Sequence, residues 1–352
     1  MIRLRRNEKQ NYYQIFDNRT GIAGRWSVNG DEPFWREDGP ELLDISITDY
    51  CERECDFCYR QAGRQGIFME LSLYEEILRQ AEETGVQQIA LGGGNPNQHP
   101  DFIQFLKMGR EHHITTSYTT NGQGMTEGIY RATKLYGGAM AVSWYSPYCD
   151  AIKVIEQCGK CGIPVNIHFM LHKEAVSEAM ALLRSESIPW HYVSAIIFLN
   201  YKPVGQRRYE CLKDNEELSI FLENAITFRK CKIGFDSCMI SWLMAYKKQI
   251  AEESIDFCEA GRFSAFISEK GKMYPCSFMC GDEYGGDDIK EKGLLNIWKY
   301  GSVFCDIRER LSHPVRRKKQ IYQCARCSDY SLCHGGCPEF KINRCEQEEH
   351  YV

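Results

Sequence analysis

The stretch ITDYCERECDFCYR, residues 47–60, places three cysteines within eight residues and raises the question of what they bind. Cys51, Cys55 and Cys58 follow the spacing C-x3-C-x2-C. Structural zinc sites and complete iron–sulfur clusters normally take four protein ligands. Three thiolates on a [4Fe–4S] cluster leave one iron open, and that iron can bind a small molecule and deliver an electron to it.

A zinc site is the alternative interpretation, and it would need a fourth ligand from elsewhere in the chain. The available imidazoles in this part of the sequence are His99, His112 and His113. A disulfide with one spare thiol is disfavoured, because the chain starts without a secretion signal and stable disulfides are rare in the cytosol.

The composition favours a cytoplasmic metalloprotein. The chain has 352 residues, 18 cysteines and a formal net charge of -5. This acidic balance argues against a general nucleic-acid binder, and the basic clusters at residues 3–6 and 316–319 are expected to be solvated surface. No apolar run reaches the ~18 to 20 residues of a membrane span. So many cysteines in a chain of this kind indicate metal ligation.

Strand and helix patterns alternate from residue 42 onwards. Period-two patterns predict strands at 42–48, 88–91, 114–120, 139–146, 163–171 and 194–200. Helical patterns predict helices at 73–85, 100–112, 126–136, 150–161, 174–186 and 215–230. Ser72 and Glu75 are expected to form a capping box for the first helix. Six such βα units predict an α/β fold with a parallel sheet, closed into a partial (β/α)6 barrel of the TIM type.

One predicted strand carries a polar face. In residues 163–171, Asn166 and His168 alternate with apolar residues, although parallel strands buried on both faces are normally apolar throughout. The polar face therefore either lines a ligand-filled lumen or consists of satisfied core residues. His168 is the one candidate here for a lumen acid or base.

The amino-acid composition of the chain changes near residue 255, where glycine, cysteine and charged residues become frequent. We therefore expect an N-terminal extension (1–41), a barrel (42–238), a connecting helix (239–255) and a cysteine-rich domain (256–352). Residues 11–26 are expected to form a hairpin, which could be a lid, a docking edge for an extended peptide or a cap over the open side of the barrel.

Three motifs of the barrel resemble those of the radical S-adenosylmethionine (SAM) superfamily. They are the C-x3-C-x2-C loop, GGNPNQHPDF at 93–102 and TTNG at 119–122. The resemblance implies that the amino and carboxylate groups of SAM bind the open iron. It also implies SAM contacts from Phe57, Gly93, Gly94, Asn95, Asn121 and Ser143. Asn95 departs from the family, in which this position is usually Glu.

The C-terminal cysteines resemble the SPASM extension of radical SAM enzymes. The pattern is Cys258-x12-Gly271-x4-Cys276, then a C-x2-C-x5-C-x3-C run and a last cysteine. The resemblance implies two auxiliary [4Fe–4S] clusters, hence three clusters in total. Auxiliary cluster I would take Cys258, Cys276 and Cys337, and auxiliary cluster II would take Cys324, Cys327, Cys333 and Cys345.

The fourth ligand of auxiliary cluster I is left open by this pattern. Cys280 could supply it, or one iron could bind a substrate thiolate or water. The remaining cysteines match no motif, and they are Cys149, Cys158, Cys161, Cys211, Cys231, Cys238 and Cys305.

The resemblance implies an oxidoreductase that cleaves SAM reductively to a 5′-deoxyadenosyl radical, which abstracts a hydrogen from the substrate. An electron donor such as flavodoxin or ferredoxin is implied as well. Family members with this extension mostly modify peptides, so a peptide maturase making an oxidative modification or a cross-link is the first hypothesis. Ser277 stands where sulfatase-maturing relatives carry an Asp. The alternatives are an enzyme acting on a small molecule and a noncatalytic metal-binding or redox-sensing protein.

Overall fold

The computed structural model of the chain describes residues 2–17, 23–28, 30, 32–55, 57–206, 208–313, 324 and 326–347. A small N-terminal sheet contains β1 (Ile2–Asn7), β2 (Tyr12–Asp17) and β3 (Ala23–Ser27). The strands of the large sheet are β4 (Leu42–Thr48), β5 (Gln88–Gly93), β6 (Thr115–Thr120), β7 (Met140–Ser143), β8 (Val165–Leu171), β9 (Val193–Asn200), β10 (Lys232–Phe235), β11 (Ser264–Ile267), β12 (Lys272–Tyr274) and β13 (Asp287–Asp288).

Helices cover the outer face of the large sheet and build the C-terminal region. Those between the barrel strands are α1 (Leu71–Glu83), α2 (Phe102–Glu111), α3 (Glu127–Tyr136), α4 (Cys149–Cys161), α5 (Val176–Arg184) and α6 (Glu216–Thr227). The later ones are α7 (Ile240–Leu243), α8 (Ile289–Lys292), α9 (Leu294–Tyr300), α10 (Ser302–Ser312), α11 (Tyr330–Cys333) and α12 (Arg344–Gln347). No helix of the described residues is both long and apolar enough to cross a bilayer.

The strands β4 to β10 run parallel, and each pairs with the next in chain order. Parallel neighbours need long crossovers, and α1 to α6 supply them. The predicted α/β partial barrel is confirmed. Among the described residues, β10 adds a parallel strand that the sequence patterns did not predict, because its four residues are too short for a clear period of two.

Alternation along β8 separates a core face from a lumen face. Val165, Ile167 and Phe169 are almost fully buried in the hydrophobic core under the helices. His168 and Met170, on the other face, line a cavity inside the barrel. The interpretation of the polar face as a lumen lining is therefore correct for His168.

Two helix predictions differ from the structure. Helix α1 begins at Leu71 without a side-chain cap, so Ser72 lies inside its first turn and the expected capping box does not form. Residues 239–255 form short separate turns, namely α7 with 3-10 turns at 244–246 and 252–254, instead of one connecting helix. By contrast, α4 ends where the sequence patterns predicted, at Gly162 in the left-handed conformation.

The C-terminal region continues the barrel sheet. Strand β11 pairs in parallel with β4, matching Ser264 with Leu42 and Ile267 with Ile45. Strands β12 and β13 then extend this edge in antiparallel fashion. The two regions on either side of residue 255 therefore share one sheet.

The N-terminal sheet packs at the amino ends of the barrel strands. Strands β2 and β3 pair antiparallel, which corresponds to the expected hairpin, while its turn residues 18–22 lie outside the described residues. Gln14 accepts a hydrogen bond from Gln87, just before β5. Arg3 and Arg5 donate to the carbonyls of His113 and Gly85. The sheet therefore caps the barrel end opposite to the strand carboxyl ends, and the lid interpretation is wrong. The basic residues 316–319 also lie outside the described residues.

Candidate active site

A cavity of about 380 Å³ lies at the carboxyl ends of the barrel strands. Functional sites of barrel folds occupy this end, where loops from several strands converge. Strands β5, β6 and β7 contribute their last residues to the wall, and β8 and β9 contribute inward-facing side chains. Cys51, Cys55 and Cys58 line the same cavity.

The loop after β4 brings the three thiols together. Its turns are held by backbone hydrogen bonds from Cys51 N to Gly63 O at 3.1 Å and from Cys58 N to Cys55 O at 3.0 Å. The three thiols are close enough to interact electrostatically with one another. Such a set from one short loop suits a cluster that keeps one position open.

Hydrogen-bond donors surround these thiols. Burial raises the pKa of the Cys51 thiol, and the backbone N–H groups of Arg53 and Glu54 partly oppose that rise. Asn121 Nδ2 also lies 3.4 Å from Cys51 Sγ. Burial raises the pKa of Cys55 to about 11, and the Arg53 guanidinium partly offsets it. Donors of this kind stabilise the thiolate form, which is the form that binds metal.

The glycines at the end of β5 permit close contact with the cysteine loop. A Cβ on Gly93, whose φ is +114°, would lie 2.0 Å from the carbonyl oxygen of Thr48. A Cβ on Gly94 would lie 2.0 Å from the carbonyl oxygen of Tyr50. Both glycines also line the cavity, as expected for ligand contacts. Glycine is required at both positions because the backbone of β5 approaches the backbone of the cysteine loop closely. The sequence motif alone did not reveal this contact.

Asn95 occupies a different place from the one expected. It is 1% exposed and does not line the cavity. Its Nδ2 donates to Gln123 O at 3.0 Å, and its Oδ1 accepts from Thr120 Oγ1 and Asn121 N, both at 3.2 Å. The residue therefore holds the loop after β6 in position, and the prediction of a direct SAM contact is not supported by this placement.

The other predicted contacts all face the cavity. Phe57, Asn121 and Ser143 are part of its lining. The Phe57 ring packs edge-on against Tyr145, with ring centroids 5.1 Å apart. The Tyr145 hydroxyl in turn hydrogen-bonds to Ser143. These residues form an aromatic and polar wall beside the cysteine loop.

His168 is a neutral group in this cavity. Burial lowers its pKa to about 4, so the imidazole carries no charge at neutral pH. A neutral imidazole can accept or donate a hydrogen bond, but it is a weak proton acceptor.

Asp44 is a cavity residue that the sequence analysis passed over. It lies on β4 and lines the cavity. Burial, followed by the nearby charge of Glu259, raises its pKa to about 7. A carboxyl with such a pKa can exchange a proton near neutrality. The sequence feature that could have identified Asp44 is its position as an acidic residue that alternates with apolar residues in the first strand of the barrel.

Lys202 and Asp236, which no sequence motif indicated, form a buried ion pair in the wall of the cavity. The Nζ–Oδ2 distance is 2.7 Å, and the side chains are 4% and 19% exposed. Asp236 Oδ1 also accepts a hydrogen bond from Asn200 N at 3.1 Å. The two residues are 34 positions apart, so no local motif could have paired them.

The cavity reaches the cysteine-rich region through a short aromatic contact. The rings of Tyr59 and Phe278 stack with centroids 4.2 Å apart. The Tyr59 hydroxyl hydrogen-bonds to Ser277, and burial raises its pKa to about 12. Because Tyr59 follows Cys58 and Ser277 follows Cys276, the contact joins two cysteine-bearing segments.

The C-terminal region contains two groups of neighbouring thiols. Cys333 and Cys345 have each other, Cys324 and Cys327 as electrostatic neighbours. Cys258 and Cys276 are neighbours in the second group. Within the described residues, no three or more His, Cys, Asp or Glu side chains are already spaced as metal ligands, so these groups are defined by which thiols are adjacent.

Comparisons with known proteins match both halves of the chain. The radical SAM superfamily profile matches residues 45–148. The profile of the SPASM iron–sulfur cluster-binding domain matches residues 258–328. The chain therefore carries a radical SAM domain followed by a SPASM domain. Iron–sulfur clusters and SAM are the cofactors that such domains bind, and the donor-rich thiol loop beside a glycine-lined cavity fits them.

Relatives with curated names match most of the length of this chain. Mycofactocin maturase MftC of Mycobacterium tuberculosis is 23% identical over 329 residues, which are 87% of this chain and 80% of the relative. The PqqA peptide cyclase of Xanthomonas oryzae is 21% identical, with 83% and 81% covered. Streptococcus suis SuiB bound to its precursor peptide SuiA has a TM-score of 0.70 at 22% identity, with 88% of this chain and 76% of SuiB covered.

Proposed function

We propose that this radical SAM enzyme carries out an oxidative modification or cross-linking of a peptide substrate. The observation that carries the proposal is that a single cavity is lined both by Cys51, Cys55 and Cys58 and by Ser277 and Phe278, which follow Cys276 in the chain. A substrate in this cavity would lie close to the site of radical generation and to a segment that carries an auxiliary-cluster ligand. The relatives named above, a maturase, a peptide cyclase and a structure with a bound precursor peptide, support a peptide as the substrate.

Three [4Fe–4S] clusters are proposed. The cluster that binds SAM takes the three thiols of the barrel loop. Auxiliary cluster II takes Cys324, Cys327, Cys333 and Cys345, which is supported by their mutual proximity. Auxiliary cluster I takes at least Cys258, Cys276 and Cys337. The C-terminal region has only a small group of buried apolar residues of its own. Binding of the iron–sulfur clusters would explain how this region stays folded.

SAM is proposed to bind against Phe57, Gly93, Gly94, Asn121 and Ser143, all of which line the cavity. When bound, the barrel cluster and SAM supply a 5′-deoxyadenosyl radical for hydrogen abstraction, and the auxiliary clusters supply an acceptor for the electron released on oxidation. An external donor such as flavodoxin or ferredoxin would provide the starting electron.

The protein side chains have positioning and proton-transfer roles. Asp44 Oδ is proposed to accept the proton that the oxidised substrate releases, since its pKa near 7 makes both protonation states available. His168 stays neutral and is proposed to orient a polar group of the substrate. The Lys202 ammonium is held by Asp236 and provides a fixed positive charge in the wall of the cavity.

The test uses the anaerobically reconstituted protein beside a Cys51/Cys55/Cys58→Ala triple variant. We expect roughly 12 iron per chain, falling to roughly 8 in the triple variant. The reduced wild type should convert SAM to 5′-deoxyadenosine, and the triple variant should not. Zinc in place of iron, or SAM cleavage by the triple variant, would contradict the proposal.

The substrate class is tested separately by co-expression with short peptides encoded beside the gene. A peptide that loses two hydrogen atoms by mass spectrometry, only with an intact barrel loop, would support the maturase. SAM cleavage that responds to small molecules and to none of the peptides would favour the small-molecule enzyme instead.

A further inference from the structure

Auxiliary cluster I lacks a fourth ligand in the sequence pattern. Cys258, Cys276 and Cys337 would leave one iron of a [4Fe–4S] cluster without a protein ligand. Cys280, four residues after Cys276, is the candidate that the sequence offers. The positions of the thiols in the fold point to a different cysteine.

Cys280 belongs to a separate polar group. The Arg60 guanidinium hydrogen-bonds to its thiol and also donates to Glu269 Oε2 at 2.7 Å. Its strongest electrostatic neighbours are Arg60, Glu269 and Glu283. The expectation that Cys280 completes auxiliary cluster I is therefore not supported by its surroundings, which instead account for the thiol as a partner of Arg60.

Cys238 lies just after the carboxyl end of β10, in the 3-10 turn Ser237–Met239. Asn200 Nδ2 donates to the Cys238 carbonyl at 3.0 Å, and Asp236 N donates to Phe198 O at 3.0 Å. These bonds fix the turn against β9. A cysteine that matched no sequence motif is thus placed on the rigid edge of the barrel.

The thiol of Cys238 is directed at the incomplete set. It forms a hydrogen bond with the thiol of Cys337. Cys258 and Cys276 both have Cys238 as their foremost electrostatic neighbour. The four thiols, of which Cys258 and Cys337 are buried and Cys238 and Cys276 half-buried, therefore form one group, drawn from the barrel and from three separate positions of the C-terminal region.

We propose that Cys238 is the fourth ligand of auxiliary cluster I. The inference rests on the proposed function, because it assumes that this cluster forms. The other three thiols accept hydrogen bonds from backbone N–H groups, as ligand sulfurs commonly do: Ala260 to Cys258, Phe278 to Cys276, and Phe340 to Cys337 at 3.4 Å. Cys238 closes the set with a residue that the barrel positions.

The charge around this group fits a fully ligated cluster. Four thiolates give a [4Fe–4S] cluster a net negative charge, which is costly to bury without a compensating cation. Lys202 is buried, and its strongest electrostatic partners after Asp236 include Cys238 and Cys337. The Lys202 ammonium also lies 4.7 Å from the centre of the Phe278 ring. This lysine therefore places a positive charge between the cavity and the cluster.

The experiment compares Cys238→Ala with Cys280→Ala, both on the Cys51/Cys55/Cys58→Ala background, so that only auxiliary clusters contribute to the spectra. Each reconstituted protein is reduced and examined by electron paramagnetic resonance and ⁵⁷Fe Mössbauer spectroscopy, with and without an added small thiol. In Cys238→Ala, one auxiliary cluster should contain a distinct iron site whose signal shifts with the added thiol. The Cys280→Ala spectra should match the background.

Two outcomes would overturn the inference: Cys238→Ala spectra identical to the background, or the distinct iron site appearing in Cys280→Ala. The signal of auxiliary cluster II serves as an internal reference for folding. If Cys238→Ala loses both clusters, Cys238→Ser decides, because a serine ligand must also alter the spectrum of one cluster and an unchanged spectrum would refute the ligand role. A background variant without any auxiliary iron would refute the proposed function itself.

Discussion

The thiols of the barrel loop and those of auxiliary cluster I are brought together in opposite ways. Cys51, Cys55 and Cys58 come from eight consecutive residues and converge through local turns. The group around Cys337 draws on segments far apart in the chain, including the end of β10. A local set is readable from spacing alone, whereas a dispersed set becomes visible only once the fold has placed its members side by side.

The largest expected effect comes from a substitution that displaces Cys51, Cys55 and Cys58 and leaves the thiols of auxiliary cluster I in place. In Gly93→Ala, the new Cβ would meet the Thr48 carbonyl, and the residue would also be strained at a φ of +114°. We expect the barrel loop to be displaced, with iron falling by about a third and SAM cleavage abolished. Iron assays and 5′-deoxyadenosine chromatography provide the measurements.

Gly92→Ala is the matched control for this substitution. A Cβ at Gly92 meets no atom within 4 Å, and its backbone is not in the left-handed region. The control should keep its full iron content. Equal iron in the two variants would mean that close approach at β5 does not hold the cysteine loop.

The next effect concerns the buried cation beside the dispersed set. Lys202→Met would leave the Asp236 carboxylate without its partner at a position where the lysine side chain is only 4% exposed. We expect the free energy of unfolding to fall by about 3 kcal/mol. Anaerobic urea denaturation of the reconstituted protein measures it.

The double variant Lys202→Met/Asp236→Asn should recover most of this loss, since it removes the unpaired charge as well. Lys173→Met tests an exposed ion pair with Glu210, whose side chains are 37% and 50% exposed, and should cost less than about 1 kcal/mol. Similar losses from both lysines would show that burial of Lys202 has no special role.

The smallest expected effect concerns Asp44, in the cavity that the thiols of the barrel loop line. Asp44→Asn removes the proposed proton acceptor, so product formation should slow by about 100-fold while 5′-deoxyadenosine formation continues. In the wild type the rate should rise with pH up to about 7, where Asp44 becomes a carboxylate. Asp101 is an exposed carboxyl on the surface, so Asp101→Asn is the control. It should change neither product formation nor 5′-deoxyadenosine formation.

The same carboxyl has a defined effect on stability. Burial raises the pKa of Asp44 to about 7, so the folded protein holds this proton more tightly than the unfolded chain does. Its stabilising contribution is complete below the unfolded pKa, near 4, and is lost as the pH rises through 7. The stability of Asp44→Asn relative to the wild type should therefore increase over this window. A constant difference would contradict the assigned pKa.

Local patterns predicted much of the fold. The alternation of apolar residues located β4 to β9, and the helical patterns located α1 to α6, because each element buries one face. The same patterns missed β10 and β11, whose four residues become strands through pairing with β9 and β4. Short strands of this kind are determined by their neighbours and leave little trace in their own sequence.

The residues of the candidate site also differ in whether a local sequence pattern could predict them. Phe57, Gly93 and Gly94 were predicted as SAM contacts from contiguous motifs, and all three line the cavity. Asn95 was assigned a contact by its place in such a motif, yet its amide is used by the loop after β6. Cys238 and the Lys202–Asp236 pair had no local signature, since their partners are brought to them by the tertiary fold.

The continuous sheet has a mechanical consequence. Strand β11 is hydrogen-bonded along β4, and β12 and β13 follow on its other side, so a single ladder of backbone hydrogen bonds crosses from the barrel to the C-terminal region. Hinge motions need a flexible connection that few hydrogen bonds cross. Among the described strands, the junction between β4 and β11 offers no such connection. The walls of the cavity therefore keep their spacing while a substrate enters through the mouth, and heating should unfold both regions in one cooperative transition.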